Sequence, residues 1–135
     1  MLDDNMCYYI YGQDITKGSF VDVAEPNKIT KFFKDFGIVN EPVHHIMTTH
    51  HHYDHAQGNN PCKRAYPNCR IMGGKEDNVD GCTDFMKHGN TFDLFDGTVK
   101  ATCLHTPCHT RGHMCYYLEG SSQKHQHTVE KFNEY

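Results

Sequence analysis

The segment Thr49-His50-His51-His52-Tyr53-Asp54-His55 constrains this chain more than any other. It contains His-x-His-x-Asp-His. Neutral imidazoles bind zinc and similar ions well, and a carboxylate adds charge. Side chains at i and i+2 project the same way from an extended segment, so His50 and His52 can share one ion. Asp54 and His55 follow as the chain turns, and can face a second ion beside the first. A β-rich run over residues 42–49 leads straight into the motif. A second constellation lies downstream, Thr106-Pro107-Cys108-His109-Thr110-Arg111-Gly112-His113. Pro107 stiffens that loop and Gly112 permits a tight turn. His109 is the natural third ligand for the ion held by His50 and His52. His105 and His113 read as structural groups or supports behind the ligands, and nothing marks Cys108 as a nucleophile or ligand. The bland alternative is a solvated histidine-rich loop with incidental metal affinity. It carries less weight, because a strand enters the motif and a further histidine waits downstream.

Composition narrows the setting. The 135 residues suit one domain with a modest core. The formal net charge is −4, with 17 acidic residues against 13 Lys and Arg. That balance argues against a general nucleic-acid binder, which needs a basic face. No apolar run approaches the ~20 residues of a membrane span, and no secretory leader is visible. The seven cysteines are odd in number and form no Cys-x-x-Cys pair. They predict free thiols in a reduced cytoplasmic setting, a mitochondrial form remaining open, and neither a disulfide scaffold nor a cysteine-rich zinc finger. A monomer is expected.

Periodicity gives a coarse outline. Residues 6–11 and 19–23 read as two strands of a hairpin. Pro26 opens a helix in which Ile29, Phe32, Phe33 and Phe36 form one apolar face against a sheet, with Gly37 just past its end. Residues 56–70 predict a short helix and a loop, residues 70–72 a strand stub, and residues 75–90 a polar, turn-rich stretch. Residues 92–95 and 98–104 read as a hairpin around Asp96-Gly97. Residues 113–118 form a further strand. Residues 1–118 make the domain, and residues 119–135 read as a polar tail or loop.

Taken together, Thr-His-His-His-Tyr-Asp-His and Thr-Pro-Cys-His-Thr-x-Gly-His before a tyrosine-rich strand resemble the metallo-β-lactamase superfamily. Within it, the chain resembles the glyoxalase II (hydroxyacylglutathione hydrolase) family. Asp4-Asn5 before an aromatic strand, Val21-Asp22, Gly73-Gly74 and Asp96-Gly97 also sit where that family has similar residues. Gln57-Gly58-Asn59 stands where Gly-Gly-Asn is usual. The similarity covers residues 3–118. It implies an α/β fold, the αββα sandwich, with a binuclear metal site at the edge of two sheets. It implies that His50, His52 and His109 hold the first metal, and Asp54 and His55 the second, with Asp22 supporting the ligands or the fold. Zinc is the expected metal, with iron or manganese as alternatives. The implied reaction is hydrolysis of a glutathione thioester, S-lactoylglutathione, to lactate and glutathione. Metal-bound water loses its proton near pH ~7 instead of ~15.7, and the metals stabilise charge on the tetrahedral intermediate. A thiolate leaving group demands no separate acid.

Three departures from the family pattern follow. No Thr-Gly-Asp-Thr segment with a bridging Asp follows the tyrosine-rich strand, since the last Asp is Asp96. The family's final metal-binding His, in a Gly-His-Glu-Tyr context, is absent. So is the helical C-terminal domain, and most of the second sheet is expected to be missing with it. The second metal site is therefore expected to be incomplete. Lys131-Phe132-Asn133-Glu134 echoes a glutathione-binding Lys-Phe-x-Glu, which makes Lys131 a candidate substrate contact. His125 and His127 read as parts of a solvated tail. Two other readings stay open: another enzyme of the superfamily, such as a persulfide dioxygenase with one iron, or a catalytically impaired metal-binding fragment.

Overall fold

The elements appear where apolar side chains can be buried on alternate faces. The computed structural model describes residues 5–39, 43–120 and 128–131. Its first sheet takes the order β5-β4-β3-β2-β1-β9, and its second the order β6-β7-β8. In the first sheet, β1 (Tyr8–Tyr11) and β2 (Gly18–Val21) form the antiparallel hairpin that the aromatic run predicts. The strands β3 (His45–Met47), β4 (Arg70–Gly74) and β5 (Asp84–Met86) continue parallel to β2. Parallel neighbours need crossover connections. Helix α1 (Pro26–Asp35) joins β2 to β3, and α2 (Tyr53–Ala56) with α3 (Asn59–Ala65) joins β3 to β4.

Alternation along the strands builds two cores. Tyr9, Phe20, Ile46 and Ile71 face the helices and pack with Ile29, Phe32 and Phe33 of α1. Their sequence neighbours Ile10, Met47 and Met72 face the other way, toward Leu94, Val99, Ala101 and Met114 of the second sheet. That sheet comprises β6 (Thr91–Leu94), β7 (Val99–His105) and β8 (Met114–Gly120), all antiparallel. On its outward side Tyr117 is 55% exposed.

The helix α1 ends as its sequence predicts. Gly37 adopts φ +67°, its N–H bonds Lys34 O, and Ile38 N–H bonds Phe33 O. These two bonds make a Schellman cap, with Ile38 buried beside Phe33. Phe36 departs from the expected apolar face. It lies at the C-cap and is 47% exposed, with its ring against Phe32.

Three further differences have local causes. The polar stretch 75–90 contains β5, because Cys82, Thr83 and Asp84 satisfy the free edge of β4 through main-chain and side-chain bonds that alternation does not advertise. The hairpin between β6 and β7 closes through residues 95–98, with Phe95, Asp96 and Gly97 all at positive φ, and not through two residues alone. Within the expected tail, Glu119 and Gly120 continue β8, and Thr128–Lys131 forms β9 against the edge strand β1. An unpaired strand edge recruits a short β-forming segment even from a polar stretch.

Candidate metal centre

The parallel strands β2, β3 and β4 all end at one edge of the first sheet, the place where open α/β sheets gather ligands. Asp22 follows β2, residues 48–55 follow β3, and residues 75–77 follow β4. The second sheet contributes the loop 106–113 between β7 and β8. Three bonds lock the sheets together here. Met114 N–H bonds Thr49 O at 2.8 Å, and the Tyr116 hydroxyl donates to Thr48 O at 2.8 Å and Met72 O at 3.2 Å. Burial pushes the Tyr116 phenol well above its ordinary range, so it remains a donor.

One nitrogen from each of His50, His52 and His109 lies within 4.8 Å of the other two. His52 Nδ1 and His109 Nε2 stand 3.0 Å apart. Two nitrogens on one tetrahedral zinc are separated by about 3.3 Å, from bonds of ~2.0–2.1 Å. The ring of His50 packs 4.7 Å from that of His52 and 4.8 Å from that of His109. The motif and the downstream loop, 57 residues apart, therefore meet as the sequence predicts.

The chemistry of His50 tests whether these residues suit a metal. Its Nε2 is buried and has no hydrogen-bond partner. Thr49 Oγ1 donates its one proton to Asp22 Oδ2 at 2.7 Å, so toward His50 Nδ1, 2.9 Å away, it can only accept. The proton then sits on Nδ1, and Nε2 keeps a lone pair aimed into the cluster. Burial, reinforced by His55, pulls the His50 imidazole down to about 4, so the ring is neutral at pH 7. A buried lone pair that no protein donor meets is costly, and a cation at the three nitrogens removes that cost. The residues fit a metal ion.

Asp54 and His55 form a looser pair. His55 Nε2 lies 3.4 Å from Asp54 Oδ2, and the Asp54 side chain is 47% exposed. Asn5 Nδ2 donates to the Asp54 carbonyl. His55 Nδ1 bonds Asp22 Oδ2 at 2.9 Å. Burial alone would lower the His55 imidazole. The hydrogen bond and charge of Asp22, with Asp54 behind them, outweigh it and hold the ring above its ordinary value.

Asp22 thus serves both halves. Its carboxylate accepts from Thr49 N–H, the Thr49 hydroxyl and His55. Its φ of +54° is rare outside glycine, and those three bonds hold it there.

His51, the middle histidine, stands outside the three-nitrogen cluster: its ring packs 4.8 Å from that of His52 and its Nδ1 pairs with Asp77 at 3.1 Å. His105 Nε2 meets Arg111 O at 2.8 Å, and His113 Nδ1 meets Thr106 Oγ1 at 2.9 Å. His113 also packs 5.3 Å from the His50 ring. Cys108 is exposed. The register pairs Lys131 with Tyr8, which pairs with Val21, so Lys131 lies at the site end of the sheet. His125 and His127 lie outside the described residues. Sequence reasoning missed Thr49 and Asp77. A threonine directly before a ligand histidine was a usable signal for the first. The second is one acid among several in a polar stretch.

No known protein-family profile matches the chain. A search of curated proteins finds the cytoplasmic hydroxyacylglutathione hydrolase of Arabidopsis thaliana, 36% identical over 119 residues, covering 88% of this chain and 45% of that protein. A probable hydroxyacylglutathione hydrolase of Schizosaccharomyces pombe is 38% identical over 118 residues, covering 86% of this chain and 44% of that protein. This chain therefore spans less than half the length of these relatives. Among solved structures, a subclass B3 metallo-β-lactamase of Bradyrhizobium japonicum superposes with a TM-score of 0.67 at 19% identity, covering 96% of this chain and 60% of that one. That likeness speaks for the fold.

Proposed function

We propose that this chain, which is similar to hydroxyacylglutathione hydrolases along most of its own length and has the metallo-β-lactamase fold, hydrolyses glutathione thioesters, S-lactoylglutathione first among them. The observation that carries the reading is the buried, unpartnered Nε2 of His50 beside His52 and His109. We assign the ion they hold as zinc. Three neutral imidazoles form a familiar catalytic zinc set, which keeps a fourth position open. When bound, zinc polarises a carbonyl and brings the pKa of water near 7.

The chain's own groups do the rest. Thr49 and Asp22 fix the tautomer of His50. Asp54 stands at the open, solvent-facing side. We assign its Oδ2 to orient the attacking water and accept its proton. Asp54 and His55 would also hold a second ion. Two protein ligands are few for that, so the second ion is expected to bind more weakly. Lys131 is assigned to a glutathione carboxylate by the sequence echo and its place at the site end. The name of the plant relative supports a cytoplasmic location, and among the described residues no helix is long and apolar enough to cross a membrane. We take the working form as a monomer.

The test is thioester loss and thiol release from S-lactoylglutathione by the zinc-loaded chain. Turnover that disappears in His52→Ala supports the reading. Stoichiometric zinc binding with no turnover on a panel of glutathione thioesters would replace it with a metal-binding fragment.

A further inference from the structure

Asp77 is 5% exposed, sits beside the metal centre and ligates nothing in the reading above. Among the described residues its one ion-pair partner is His51. A carboxylate buried without a strong cationic partner is costly unless donors satisfy it, and its donors here come from two places. Oδ2 accepts from His51 N–H at 2.6 Å. Oδ1 accepts from Gly112 N–H at 3.2 Å and meets His51 Nδ1 at 3.1 Å. His51 lies between the ligands His50 and His52, and Gly112 lies three residues past the ligand His109. One side chain thus grips both ligand-bearing loops.

The backbone is built for that grip. A Cβ on Gly112 would come within 2.2 Å of Asp77 N, and a Cβ on Gly74 within 2.0 Å of Gly112 O. Only glycine at both positions lets the turn after β4 touch the 106–113 loop main chain to main chain. Asp77 N–H closes that turn onto Gly74 O at 3.1 Å. We infer that Asp77 is a positioning residue for the three-histidine centre, setting the distance of His109 from His50 and His52 by bonding both loops. The inference rests on the reading that these histidines hold a metal. It gives the loop after β4 a task that no ligand motif marks.

The experiment is a double-mutant cycle on zinc affinity, read by chelator competition and without substrate. Asp77→Asn keeps the shape but sets an amide N–H against a donor. It is expected to weaken zinc binding about 10–100-fold, the usual cost of losing a partner behind a ligand. It should also weaken the visible bands of the Co²⁺-loaded protein as His109 drifts from the ion. In a His109→Ala background the same substitution should cost almost nothing. Gly112→Ala, whose Cβ would press on the main chain and Cβ of Asp77 and wedge the two loops apart while keeping the carboxylate's charge, should weaken binding too, with far-UV dichroism checking that each variant is folded. An unchanged affinity in Asp77→Asn overturns the inference. So does an equal loss with and without His109, which would make Asp77 a support of the fold at large. If the wild-type chain takes up no zinc, the three-histidine reading itself falls, an outcome distinct from either of these.

Discussion

The two ends of β3 carry the same residue to different ends. His45 opens the strand and His50 stands just past its close. Burial pulls both imidazoles down to about 4. At His45 the ring stacks on Phe92 of the second sheet, 6.4 Å away, with the Arg70–Asp84 ion pair near by. At His50 one nitrogen is pinned by Thr49, and the other is left bare among the rings of His52, His55 and His109. A depressed pKa by itself therefore marks burial. What separates a ligand from a packed ring is a free lone pair with other lone pairs beside it.

The widest gap between the two ends should appear in metal affinity. His50→Ala is expected to lower zinc affinity by more than the ~10–100-fold that an outer partner is worth. His45→Ala should leave it within about threefold, once folding is accounted for. Chelator competition on both variants reads the difference, and equal losses would erase the contrast between the ends. Next in size comes Asp22→Asn. With its remaining oxygen on Thr49 N–H, it sets an NH2 where Oδ2 was the shared acceptor of the Thr49 hydroxyl and His55, and a buried donor left unmet costs about 1–3 kcal/mol. Both the melting temperature of the zinc-free chain and its zinc affinity should fall. Asp22→Gly separates two causes, because it relieves the positive φ while deleting the carboxylate. Affinity lost in both variants, with better stability in the glycine form, would assign the role to the carboxylate. Asp54→Asn should do less to the first ion. A shift under about threefold at the three histidines, with loss of any second ion and of turnover, would show that the two half-sites are separable.

The same contrast explains what the sequence could tell. Candidate ligands announce themselves by residue type and spacing, so the meeting of His50, His52 and His109 was legible, and so were the strands whose apolar residues alternate. The 57-residue separation of His52 and His109 is bridged by the packing of one sheet on the other, held by Met114 N–H on Thr49 O and the Tyr116 hydroxyl on Thr48 O. Groups acting through hydrogen bonds carry no such pattern. Asp77 is chemically the same as Asp80 or Asp84 until the chain folds. It becomes buried and doubly bonded only because Gly74 and Gly112 admit a backbone contact between loops far apart in sequence. Likewise β5 and β9 owe their existence to open edges of β4 and β1, which are properties of the sheet and not of the segments themselves.

The smallest effect isolates the far end of β3. His45 is ordinarily protonated near 6.5 in an unfolded chain and near 4 in the fold, chiefly through burial and then through Arg70. Between those values the unfolded chain binds more protons than the folded one, so stability falls as pH falls. The contribution is fully present above about 6.5, declines on acidification, and is fully lost below about 4. His45→Gln cannot titrate and should flatten part of that slope in the zinc-free protein, measured as urea-unfolding free energy across the window. Absolute stability also changes when the stack on Phe92 is lost, so the slope is the quantity to compare. With zinc bound, His50 cannot be protonated without releasing the ion, and the acid limb should steepen in wild type and His45→Gln alike. If the two proteins keep the same slope without zinc, His45 is not neutral by burial, and the likeness between the two ends of the strand fails.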